Sequence, residues 1–225
     1  MKQEYNFLII DDHPLIAEAY KSALQFIKNK NKNLIFNIDF ANNCEVAFDK
    51  IHQIPEDADN SIVFLDIRLP PSETNKMLSG EDLGIKIRER IPKAKIIIST
   101  TFNDNYRIHS IFRSINPEGF LIKNDITPQE LVVGIETIME DPPYYSKTVT
   151  KLLRKKISQE FILDNIDREL LYELSIGTKM KDLPNIIPLS IAGVERRKRH
   201  LKEVFDIREK GDRALVLAAK EKGFI

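Results

Sequence analysis

Four side chains of this 225-residue chain stand where short apolar runs end, and together they have the make-up of a phosphoryl-transfer site. The run SIVFLD at 61–66 finishes on the carboxylate of Asp66, FLIIDD at 7–12 on Asp11 and Asp12, and FLIK at 120–123 on Lys123. Neighbouring carboxylates repel unless a cation lies between them, and Mg²⁺ takes oxygen ligands from one or two carboxylates, phosphate and water. Asp11 and Asp12 are therefore expected to hold Mg²⁺. With a metal polarising an incoming phosphoryl group, Asp66 can attack as a carboxylate nucleophile while the Lys123 ammonium neutralises charge on the transferred oxygens. A further run, KIIIST at 95–100, ends on Thr100, whose hydroxyl can donate to a phosphoryl oxygen.

These groups can meet only if the runs lie side by side. Apolar runs separated by helix-like stretches read as βα units, whose strands lie parallel with their carboxyl ends on one edge of the sheet. In such open α/β sheets the binding crevice lies beyond that edge. The pattern predicts strands near 5–11, 34–40, 61–66, 95–100 and 119–123, and helices near 14–30, 44–53, 81–90, 105–115 and 128–140. Pro14 and Pro128 suit first-turn positions, where the missing N–H is harmless. The adjacent prolines of DPPYYSK at 141–147 stop the last of these helices.

The pattern resembles the receiver domain of two-component response regulators over about residues 4–142. It rests on DDHP, the acceptor Asp with Pro four residues later, the Thr ending the fourth strand and the Lys after the fifth. The resemblance implies a doubly wound, five-stranded parallel α/β sheet of flavodoxin-like type. It also implies phosphorylation of Asp66 by a sensor histidine kinase, a switch made of Thr100 and Phe120, and the backbone carbonyl of Arg68 as a further Mg²⁺ ligand. The Arg68 side chain stands where family members tune hydrolysis of the acyl phosphate, and a guanidinium there can hold phosphate oxygens. A phosphatase would want a second acid at that position, so a regulator rather than an enzyme is expected. The loop PPSETNKMLSG at 70–80 has roughly six residues more than the family's, fit either for a lid or for a tolerated surface insertion.

A chain of this length suggests two domains. One cysteine, Cys44, rules out an internal disulfide framework, and with no secretory leader and no apolar stretch near 20 residues the protein is expected to be soluble and cytoplasmic. Zero net charge hides an asymmetry: residues 151–225 carry 17 Lys and Arg against 12 Asp and Glu, leaving 17 against 22 for residues 1–150. A basic module on an acidic one is the pattern of a nucleic-acid-binding output.

In that basic part, apolar residues at 166, 170, 171 and 174 mark a helix closed by Gly177, and a second helix is expected near 181–187. Ser190 then caps a third helix bearing Arg196, Arg197, Lys198, Arg199 and Lys202, and a fourth begins at Asp212. Two helices, a tight turn and a cationic helix describe a helix-turn-helix. The order of features resembles the LuxR-type output of NarL/FixJ-type response regulators, a second, smaller all-α domain, and the five cations are the candidate DNA contacts. Two positions depart from that family: Gly193-Val194-Glu195 replaces Thr-Val-Lys, and Pro184 replaces a small residue in the second helix. The expected organisation is a receiver at 1–142, a linker at 143–162 with the helix-forming stretch TVTKLLRKKI, and a helix-turn-helix domain at 163–225. Double-stranded DNA and, on phosphorylation, a second copy of the chain are the implied partners. An adaptor whose basic helix binds a protein is the alternative.

Overall fold

The computed structural model describes residues 2–72, 77–101, 105–154, 163–208, 210–222 and 224–225. The tip of the inserted loop and the second half of the expected linker lie outside these residues. The chain divides into two compact units, Met1–Asn103 with Ile111–Lys155, and Lys156–Ile225 with Asp104–Ser110.

Strands and helices alternate along residues 3–140: β1 (Gln3–Ile10), α1 (Pro14–Lys30), β2 (Leu34–Ala41), α2 (Cys44–Gln53), β3 (Ser61–Asp66), α3 (Gly80–Arg90), β4 (Lys95–Thr100), α4 (Asn105–Ile115), β5 (Gly119–Ile122) and α5 (Pro128–Glu140), all in the first unit except the start of α4. All pairings are parallel. Parallel strands are covered on both faces, which is why they read as unbroken apolar runs: every residue of β3 and of β5 is buried. One face of the sheet is filled by Phe7, Ile9, Phe64 and Ile97 against Tyr20, Leu24 and Ile27 of α1 and Leu131, Ile135 and Ile138 of α5. Helix starts are set locally. Asn43 and Ser79 accept from the backbone N–H groups of Val46 and Glu81, and Thr127 forms a reciprocal capping box with Glu130.

The sheet has six strands, not the expected five, in the order β2-β1-β3-β4-β5-β6. After the prolines the chain turns back along β5 as β6 (Tyr144–Tyr145), with Tyr144 N donating to Glu118 O and Ser146 N to Phe120 O. A short helix, α6 (Lys147–Arg154), follows within the first unit, so the start of the expected linker is integral to the sheet domain. Two residues are too few for hydrophobic alternation to register as a strand. The hint was Gly134 in mid-helix: a Cβ there would lie 2.8 Å from the Tyr144 ring.

The second unit contains α7 (Asn165–Ser175), α8 (Ile191–Val204) and α9 (Asp212–Glu221). Gly177 adopts φ +87° just beyond α7, the left-handed conformation that ends a helix. The expected helix at 181–187 is reduced to one 3₁₀ turn, Leu183–Asn185, because Pro184 lacks an N–H and disfavours helical geometry at Leu183. Its core role survives: Leu183 and Ile187 are buried with Leu170, Leu171, Val194, Leu201 and Leu215. Ser190 caps α8 as expected, accepting from Gly193 N at 3.2 Å.

Candidate functional site

The topology brings the candidate groups to one edge. Asp66 is the last residue of β3, paired in register with Ser99, and Thr100 is the last of β4. Asp11 and Lys123 each follow the final residue of β1 or β5. Lys123 Nζ lies 2.6 Å from Asp66 Oδ2 and 2.7 Å from Asp11 Oδ2, with all three side chains at most 6 % exposed. The other Asp66 oxygen accepts from the Arg68 backbone N–H at 2.8 Å, while the Arg68 guanidinium donates to Thr101 Oγ1 at 3.3 Å. Burial pushes the Asp66 carboxyl above the usual carboxylate range, although Lys123 and the Arg68 N–H pull it down; the charge of Asp11 adds to the rise. One ammonium therefore does not compensate two buried carboxylates.

A divalent cation fits that deficit. Carboxylate oxygens of Asp11, Asp12 and Asp66 and a ring nitrogen of His13 all lie within 4.8 Å of one another. Asp11 Oδ2 is buried and, for all its closeness to Lys123, accepts no well-directed hydrogen bond. Asp12 is exposed and its Oδ1 lies 2.7 Å from His13 Nδ1. An oxygen-rich, partly open donor set of this kind suits a hard divalent ion that keeps some of its water.

Three neighbours escaped the sequence reading. Tyr20 of α1 shares a hydrogen bond with Ser99 Oγ and stacks on Phe64 at 4.4 Å, its phenol pushed up by burial and by the charges of Asp11 and Asp66. A Tyr on the apolar stripe of an amphipathic helix gives no signal beyond core packing. At Gly80 a Cβ would lie 2.0 Å from the carbonyl oxygen of Asp66, so the start of α3 can press on the end of β3 only as glycine. His13, read only as part of DDHP, is the third. Phe120 is buried and stacks on Phe112 of α4 at 5.4 Å, and Phe112 meets Tyr145 of β6 edge-on at 5.0 Å.

The five cations of α8 are not equivalent. Arg196 and Arg199 are exposed. Arg197 is held 2.7 Å from both Asp164 and Asp167 at the start of α7. Lys198 is buried, 2.7 Å from Asp212 and 3.3 Å from Glu195, and Lys202 lies 2.8 Å from Asp212. Helical periodicity explains the split, because positions 194, 198 and 201 face the module's core while 196 and 199 turn away from it.

No family model matches the chain. It is 22% identical over 215 residues to the oxygen regulatory protein NreC of Staphylococcus haemolyticus, covering 90% of this chain and 92% of that protein. NreC of Staphylococcus epidermidis is 23% identical over 216 residues, with the same coverage. Among solved structures, RcsB of Salmonella enterica serovar Typhimurium bound to the rprA promoter with a beryllium fluoride phosphomimetic aligns at TM-score 0.65 and 18% identity, over 97% of this chain and 99% of that one. A LuxR-family response regulator from Aurantimonas sp. SI85-9A1 aligns at TM-score 0.52 and 20% identity, over 67% of this chain and 96% of that one. With an acid-and-lysine edge on a parallel sheet and a separate helical module, the chain is similar over nine-tenths of its length to these regulatory proteins and shares the fold of the solved response regulators.

Proposed function

We propose that the chain accepts a phosphoryl group on Asp66 from a sensor histidine kinase, and that this governs the binding of its C-terminal module to double-stranded DNA and hence transcription. The observation that carries the reading is the buried Asp66–Lys123–Asp11 constellation at the carboxyl edge of the sheet. An Asp66 oxygen attacks the phosphorus of a phosphohistidine, the P–N bond breaks, and the departing imidazole takes a proton from solvent. Lys123 moves its hydrogen bonding from Asp66 Oδ2 to a phosphoryl oxygen, Thr100 donates to another, and Phe120 repacks against Phe112 as Thr100 shifts. Asp11, Asp12, Asp66 and the Arg68 carbonyl are assigned to Mg²⁺, which when bound supplies charge neutralisation on the phosphoryl oxygens. The phosphoryl group shifts the equilibrium only by its different affinity for two states of the sheet edge.

The receiver is assigned to residues 1–142, with 143–162 linking it to the helix-turn-helix at 163–225. The membership of β6 and α6 in the first compact unit favours ending the receiver near Arg154. On α8 the exposed Arg196 and Arg199 are assigned to DNA, while Arg197, Lys198 and Lys202, grouped with them on sequence, are assigned to holding α8 on its module. A homodimer formed on phosphorylation is part of this reading, and RcsB, which has this fold, has been solved as dimers on DNA, which supports the homodimer. Among the described residues no helix is long and apolar enough to cross a membrane, in keeping with a cytoplasmic regulator. The comparisons lend no support to the adaptor alternative.

The test is selection of binding sites from random duplex DNA by the full chain with Mg²⁺ and beryllium fluoride, beside Asp66→Ala. A single enriched motif that needs both the mimic and Asp66 is expected. Equal enrichment by the two proteins would refute gating, and no enrichment would refute DNA binding.

A further inference from the structure

We infer that Tyr20 is a positioning residue for the switch: through its hydrogen bond to Ser99 it holds the end of β4 in the arrangement that lacks a phosphoryl group, and so lowers the readiness with which Asp66 takes one. The inference rests on the role proposed above for Thr100. Tyr20 OH and Ser99 Oγ share a hydrogen bond beside the apolar layer in which Tyr20 packs with Ala23, Leu24, Phe64 and Ile97. Tyr20 and Ser99 are 4 % and 1 % exposed, so neither hydroxyl can exchange its partner for bulk water, and losing the bond carries the cost of a buried polar group.

The bond joins a part of the domain that stays in place to one that moves. The Tyr20 ring stacks on Phe64 at 4.4 Å with 23° between the planes, which anchors it to β3 two residues before Asp66. Ser99 lies in register with Asp66 and immediately precedes Thr100, the last residue of β4. Thr100 is fully buried and β-branched, so rotation about χ1 is restricted and its hydroxyl approaches a phosphoryl oxygen chiefly by displacement of the strand end. That displacement draws Ser99 along while the Tyr20 ring stays on Phe64.

A hydrogen bond weakens steeply as its length and angle are lost, so the Tyr20–Ser99 bond favours the arrangement without phosphate over the arrangement with it. The bias is that of one net hydrogen bond between neutral groups, about fivefold in the equilibrium between the two arrangements. The apparent affinity for a phosphoryl mimic falls by the same factor, because the mimic must first find the less populated arrangement. A bond that merely held α1 on the sheet would stabilise both arrangements equally and leave that affinity unchanged.

The experiment uses the full-length protein, its Tyr20→Phe and Ser99→Ala variants, the double variant, and Leu24→Val, which loosens the same layer without removing a hydroxyl. Binding of beryllium fluoride in Mg²⁺ is titrated by ¹⁹F NMR, and thermal melts are recorded without the mimic. Expected in each single hydroxyl variant are a lower melting temperature and binding tighter by about fivefold, with no further gain in the double variant and no gain in Leu24→Val. Tighter binding by a less stable protein is a result that damage to the core alone does not produce. Unchanged or weaker binding in either single hydroxyl variant overturns the inference, as do gains that multiply in the double variant or an equal gain in Leu24→Val. Each of these leaves Asp66 standing as the acceptor; a parent protein that binds no beryllium fluoride refutes the phosphoacceptor reading itself, and the role of Tyr20 falls with it.

Discussion

Replacing Lys123 by Ala should make the protein's stability depend on divalent metal. The ammonium lies within 2.7 Å of two buried carboxylates, and its removal leaves Asp66 and Asp11 facing each other at 2 % and 1 % side-chain exposure. Removing one partner of a buried ion pair destabilises by about 3–5 kcal/mol. The molecule can limit that loss by protonating one carboxyl, which at pH 7 costs about 4 kcal/mol for a group of ordinary acidity. The two figures agree, and Asp66, already pushed up by burial, is the carboxyl that takes the proton. Divided by a urea dependence of about 2 kcal/mol per molar, the loss is a midpoint shift of about 2 M in chelator. The sign follows from linkage. A carboxyl raised in the folded state above its unfolded value binds its proton more tightly when folded, so the loss is small below about pH 4 and grows as pH rises. A divalent cation can fill the place of the ammonium, and at a hundred times its dissociation constant it returns about 2.7 kcal/mol. Urea melts of parent and variant at pH 4 and pH 7, with chelator and with Mg²⁺, test the argument. A variant whose midpoint Mg²⁺ raises no more than the parent's would refute it, because the two carboxylates would then not share a cation site.

Four further outcomes are expected. Gly193→Ala should raise stability by about 0.5–1 kcal/mol in thermal melts, since a Cβ there meets only ordinary contacts at 3.5 Å or more and the backbone is helical. Arg196→Ala and Arg199→Ala should each lower the salt slope of DNA binding by about one while leaving the melting temperature in place, whereas Arg197→Ala should lower the melting temperature by freeing Asp164 and Asp167. Gly80→Ala should slow phosphorylation of Asp66 by a small phosphodonor, followed by mass shift, because its Cβ must displace the Asp66 carbonyl or the start of α3. Finally, the Lys147 ammonium, with the Thr127 N–H and hydroxyl, holds the Glu130 carboxyl down to about 2. That contribution is complete above about pH 4.5 and fades as pH falls towards 2, so Glu130→Gln should flatten the melting temperature between those values.

Elements long enough to show a period were legible in the sequence: α1, α2, α4 and α5 begin and end where the pattern places them, and β3 and β4 do likewise. The pocket was legible for the same reason, since Asp66, Thr100 and Lys123 stand where buried runs stop and only a parallel sheet brings such ends together. Pro184 was noticed, yet its effect on the second helix of the C-terminal module was underestimated because Leu183 and Ile187 keep the helical spacing of core residues although only Leu183–Asn185 forms a 3₁₀ turn. Charge was read too coarsely on α8. Five cations in seven residues look like one basic surface until Asp164, Asp167 and Asp212, distant in sequence or in the next helix, claim three of them. Nothing local announces such pairings.

β6 has a consequence for how regulators of this build can be taken apart and recombined. A receiver cut at the double proline would lose the two residues that hydrogen-bond along β5, uncover Phe112 and Phe120, and empty the space that Gly134 leaves for the Tyr144 ring. It would present a bare strand edge beside aromatic surface, the arrangement that invites a foreign strand or a second copy to pair there. Ser146, which donates its backbone N–H to Phe120 O and accepts from Ile122 N, and Lys147, bound to Glu130, extend the tie into α6. The portable unit is therefore the sheet with its own selvedge, through Arg154, and a graft of this receiver onto another output should be joined after that residue.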